Sequence, residues 1–64
     1  MYTQIRVIED EIRDLQRIVN ADMALLELQK SPEKREALSK EIGQLEYKID
    51  RLREQIETLR SSAI

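Results

Sequence analysis

From Leu38 to Leu59 the chain steps through Leu38, Ile42, Leu45, Ile49, Leu52, Ile56 and Leu59. Steps of four and three repeat every seven residues, with isoleucine at each a position and leucine at each d position of a heptad. A segment so patterned is a long helix with one apolar edge buried against other helices. The remaining composition fits. One Gly, one Pro and two aromatic residues, Tyr2 and Tyr47, argue against a β or mixed fold, while 38% charged residues of interleaved sign suit a coiled coil. At 64 residues, with no cysteine and no histidine, the chain has no disulfide and lacks the commonest zinc ligands. A single domain this small needs another source of stability, and oligomerisation is the one left.

The preceding segment, about residues 3–29, repeats the seam less regularly. Ile5, Ile12, Val19 and Leu26 fall at a, and Ile8 and Leu15 at d. The next d residue is Asp22. An unpaired acid in a dry seam costs several kcal/mol, so a small local rotation is expected to present Met23 in its place. Val7, Ile18, Ala21, Leu25 and Leu28 form a second apolar stripe beside the first, which a single partner helix does not cover. This stripe is the expected surface for self-association or for another protein.

Between the segments, Lys30, Ser31 and Pro32 form the break. Serine is a preferred N-cap, proline suits the first helical position, and Glu33 suits the positive end of a helix. A second helix is expected over about 32–61, with a turn at 30–32 short enough to make the helices antiparallel neighbours. Folding about residue 32 pairs positions whose numbers sum to 64. Leu26 then meets Leu38, Val19 meets Leu45, Leu15 meets Ile49, Ile12 meets Leu52, Ile8 meets Ile56, and Ile5 meets Leu59. Only Asp22 opposite Ile42 breaks the series. Glu9 falls opposite Arg53 as an attractive flank pair. A parallel zipper of the second segment alone would instead set Glu41 against Glu46 and Lys48 against Arg53, and both pairs repel. The expected fold is therefore an all-α antiparallel two-helix hairpin, a coiled coil that dimerises through the second stripe into a four-helix bundle. Gly43 sits at an outward b position as a weak spot in the second helix.

No site for chemistry emerges. Without His or Cys the usual acid/base and thiol arrangements are missing. Glu9, Asp10, Glu11 and Asp14 point different ways around a helix and share its surface with Arg6, Arg13 and Arg17, so no metal and no cofactor are expected. Lys30, Lys34 and Arg35 gather at the turn, diluted by Glu33 and Glu36. A net charge of −2 gives no field for nucleic acid or an anionic membrane. No apolar run reaches the ~20 residues of a membrane span, and no leader is evident, so a cytoplasmic location is the expectation. A start at Met1 and a tail of Ser61, Ser62, Ala63 and Ile64 without periodicity, expected to fray, fit a complete small open reading frame.

Two family resemblances give alternatives. The architecture is similar to the small dimeric four-helix bundles of plasmid copy-number control, which implies RNA binding along a helical face, although no run of residues matches. The stretch Leu38, Ser39, Lys40, Glu41, Ile42, Gly43, Gln44 and Leu45 resembles the Ser-Gln-Glu-Leu-Asp core of the helical-hairpin phosphatases acting on response regulators, and follows a Pro-containing turn at a comparable distance. The motif's terminal acid is Gly43 here. The preferred expectation is a non-enzymatic protein-interaction or oligomerisation module, a homodimer with a protein partner.

Overall fold

Proline at 32 has no amide hydrogen to give to a preceding helix, and the chain breaks there as its chemistry requires. A computed structural model describes residues 2–62, with α1 at Tyr2–Leu28 and α2 at Pro32–Ser62. These elements start and end within one residue of the 3–29 and 32–61 read from the sequence. The three residues Gln29, Lys30 and Ser31 connect them, and the two helices pack side by side as a hairpin. Its extents are 50 × 14 × 10 Å. The long axis is α2 itself, whose 31 residues span ~46 Å at ~1.5 Å each.

Ser31 takes the N-cap position, its carbonyl accepting the Arg35 amide at 2.9 Å. Its own amide donates to the Gln29 side chain at 3.3 Å, and among the described residues its hydroxyl makes no hydrogen bond. At the other side of the turn, α1 has no basic residue in its last turn to meet its exposed carbonyls. Arg35 of α2 reaches back to them. One guanidinium nitrogen donates to Leu26 O at 2.7 Å and to Gln29 O at 3.0 Å. A cation thereby sits at the negative end of α1, supplied by the opposite helix. Arg35, counted in the sequence with Lys30 and Lys34 as a basic spot at the turn, is a clasp between the two helices.

The interior is a single line of side chains. Val19, Ile42, Ile49 and Ile56 are buried, and Val19 is 0% exposed. Ile5, Ile8, Ile12, Leu15, Leu26, Leu38, Leu45, Leu52 and Leu59 are partly buried. The tightest cluster is Val19, Ile42 and Ile49, flanked by Ile12, Leu15, Leu26 and Leu45. Two helices alone enclose only the middle of a seam, which is why so few residues lose all contact with water. The ion pairs do not hold the helices together. Arg13 with Asp10 at 3.4 Å, Arg51 with Glu54 at 3.8 Å and Arg53 with Asp50 at 3.9 Å each lie within one helix and are exposed, a class that contributes only ~0.3–0.5 kcal/mol apiece. Arg53 therefore pairs within its own helix, and the expected Glu9–Arg53 ion pair does not form.

Ser61 and Ser62 do not fray. The helix continues through Ser62, with the Thr58 hydroxyl donating to Glu54 O at 3.0 Å and the Ser62 hydroxyl to Thr58 O at 2.9 Å as second bonds to carbonyls one turn back. Met1, Ala63 and Ile64 lie outside the described residues. Gly43 faces open space, with nothing within 4 Å of an added Cβ.

Paired substitutions on α2 separate its two faces. Ile49→Ala removes a buried side chain and should cost ~2–5 kcal/mol in urea-induced unfolding. Gly43→Ala should stabilise by ~0.5–1 kcal/mol, since it only adds helix propensity at an open position.

Candidate functional site

The first departure from the expected seam is Asp22. The helix does not rotate to bring in Met23, which is 43% exposed, whereas Asp22 is 8% exposed. The neighbours explain this. Val19 and Leu26 lie one turn to either side on the same edge, and turning α1 to bury Met23 would drag both out of the seam. The heptad holds through the acid, and the acid is buried with it.

Its carboxyl has poor company. Asp22 Oδ2 is inaccessible and has no hydrogen-bond partner. The group beside it is a second acid, Glu41 of α2, which precedes Ile42 and lies at the surface edge of the same layer. Glu41 is held above the ordinary carboxylate range. The largest cause is the hydrogen bond that a protonated Glu41 makes to Asp22; repulsion between the two carboxylates follows, and desolvation adds to it. With both groups ionised neither has a proton to share, which is the state that leaves Oδ2 unsatisfied.

The second feature is the apolar stripe on the outside of α1. Val7, Ile18, Ala21, Leu25 and Leu28 are all exposed, Leu25 at 54% and Leu28 at 78%. The same steps of four and three pass through Glu11 and Asp14, both exposed, and these divide the stripe. Val7 joins Ile8, Leu52 and Leu59 in an open groove of about 950 Å3 at the end of the hairpin far from the turn. Ile18, Ala21, Leu25 and Leu28 form a separate ridge running to the turn. Ile18 and Leu25 are the residues one turn to either side of Asp22, so the ridge borders the acidic layer. Tyr2 and Tyr47 are further exposed large side chains that stand outside the stripe.

A third feature is polar. An open groove of about 660 Å3 is lined by Arg13 and Arg17 from α1 and by Arg53 and Arg60 from α2, with Ile12 and Ile56 among its walls. Glu9 and Glu57 line it too, so half the positive charge is offset within the groove itself. Among the described residues no group of three or more His, Cys, Asp or Glu is placed to hold a metal ion, and no helix is long and apolar enough to cross a membrane.

The sequence matches no protein-family model, and searches of curated proteins and solved structures give no significant match. The reading of function therefore rests on these surfaces alone. Of their residues, Glu41 was legible only as a flank charge and Arg35 only as part of a basic turn. The signal that could have found Arg35 is the absence of any cation in the last turn of α1.

Replacing the buried acid tests its cost. Asp22→Leu completes the apolar seam and removes an unsatisfied buried carboxyl, so it should stabilise the hairpin at neutral pH by ~1–3 kcal/mol in urea-induced unfolding. A destabilised variant would place Asp22 in a favourable interaction instead.

Proposed function

We propose that this chain is a non-enzymatic assembly and protein-interaction module whose working form is a homodimer, two hairpins packed through the turn-proximal ridge of α1 as a four-helix bundle. The observation that carries the reading is the exposure of Ile18, Leu25 and Leu28 side by side on a helix whose adjoining edge is already buried. Areas support it. The lone hairpin exposes 5269 Å2, whereas a compact monomer of 7.6 kDa exposes about 4,300 Å2. The excess is close to the ~800 Å2 per partner that a standard stable interface removes from water. The radius of gyration of 15.0 Å tells the same story, since a compact domain of this length has one near ~10.7 Å. Packing a second copy on the ridge shortens the ratio of length to width and covers Ile18, Leu25 and Leu28.

In this reading the polar faces of α1 and α2 remain outside the bundle and are the surfaces offered to a protein partner. The arginine groove gives the RNA reading its best support, through Arg17 and Arg60, which have no acid within ion-pair distance among the described residues. Glu9 and Glu57 in the same groove oppose a phosphate chain, and no aromatic side chain lines it for stacking on bases. The protein-interaction reading is preferred for that reason.

Sedimentation of the doubly substituted chain tests the interface. Wild type should sediment as a dimer, at twice 7.6 kDa, and Ile18→Glu combined with Leu25→Glu should yield a helical monomer. A dimer that survives both charges would move the interface elsewhere, and a wild-type chain that melts cooperatively as a monomer would remove the dimer.

A further inference from the structure

The acidic layer does something the hairpin does not need for folding. We propose that Asp22 and Glu41 form a proton-binding site bridging α1 and α2, with one proton held between two carboxyls, so that the hairpin is tied more tightly in mild acid than at neutral pH.

The geometry carries the argument. Asp22 is 8% exposed, its Oδ2 has no partner, and Glu41 lies beside it from the other helix. Among the described residues no cation lies within ion-pair distance of either acid. On α1 the side chains one turn from Asp22 are Ile18, Val19, Leu25 and Leu26, all apolar, and Ala21 and Met23 adjoin it. On α2 those one turn from Glu41 are Ala37, Leu38, Gln44 and Leu45, all uncharged. Lys40 adjoins Glu41 in sequence but projects ~100° around the helix. Lys34 and Lys48 lie on the same side as Glu41, each seven residues away. That is ~10.5 Å along the axis at ~1.5 Å per residue, beyond the ~8 Å screening length at physiological salt. Among the described residues neither acid takes part in an ion pair. Across the helix pair, the group acting on Glu41 is Asp22.

Such a pair has one favourable exit. A proton from solvent binds one carboxylate, its O–H donates to an oxygen of the other, and the layer passes from two negative charges to one. The orphaned acceptor is then satisfied by the donor that protonation creates. Because Glu41 binds its proton more firmly in the folded hairpin than in the unfolded chain, the contribution is fully present below the unfolded carboxylate value and is lost as pH rises through the folded one. A proton shared between two carboxyls belongs to the pair and not to either acid alone. Since the site lies within one hairpin, it stands apart from the dimer proposed above.

Carbon-detected NMR titration of the Asp22 and Glu41 carboxyls, with thermal melts across the same pH range, tests the site. One step of the pair should fall above the ordinary carboxylate range, and Asp22→Asn should return Glu41 to that range by giving it an amide donor. The melting temperature of wild type relative to Asp22→Asn should rise as pH is lowered through the upper step. Glu41→Gln, a change at the surface edge that leaves the seam intact, should abolish the same pH dependence. Titration of both acids within the ordinary range, or wild-type melts that run parallel to those of both variants, would overturn the proposal. Either readout is independent of whether the chain is a monomer or a dimer.

Discussion

A three-residue connection clasped by Arg35 is the constraint on which everything else in this molecule depends. A helix starting at Pro32 leaves Gln29, Lys30 and Ser31 to reverse the chain, and so short a link fixes how far α2 slides along α1. The Arg35 guanidinium then ties the first turn of α2 to Leu26 O in the last turn of α1 at 2.7 Å and to Gln29 O of the link at 3.0 Å. Among the described residues it is the only side-chain hydrogen bond joining the two helices. The rest of the contact is apolar and without direction, and would tolerate a slip of one heptad. The turn therefore sets the register, and the seam supplies the attraction.

Two consequences follow from that register. It sets Asp22 into the seam next to Ile42 and brings Glu41 to the edge of the same layer, so two acids meet where the hairpin would otherwise be dry. It also uses up one edge of α1 and leaves Ile18, Ala21, Leu25 and Leu28 facing out. The two are neighbours, for Ile18 and Leu25 lie one turn either side of Asp22.

The architecture could be read from the chain because its signals agree with one another. Heptad spacing, the Ser31–Pro32 break and the flank charges that disfavour a parallel zipper all point to the hairpin. Three details could not. Asp22 was expected to turn away, since a local rule penalises a buried acid, but the rule ignores that Val19 and Leu26 hold its helix in place. Arg35 looked like part of a charged turn because its acceptors are backbone carbonyls nine and six residues earlier, which side-chain pattern does not reveal. Glu9 and Arg53 were opposite by arithmetic, yet Arg53 turned to Asp50 on its own helix, where the partner is three residues away and costs less side-chain freedom to reach. The ridge on α1 was visible as a pattern, and its exposure needed the fold.

The measurement that goes most directly to the account is an isotope-filtered NOESY experiment on a one-to-one mixture of labelled and unlabelled chains, which separates contacts within a chain from contacts between chains. The account predicts that the methyls of Val19 contact those of Ile42 and Ile49 within one chain, and that contacts between chains fall on Ile18 and Leu25. Contacts between chains along Leu38, Ile42, Leu45 and Ile49 would contradict it, because the α2 seam would then be zipped to its copy and α1 would not be its partner.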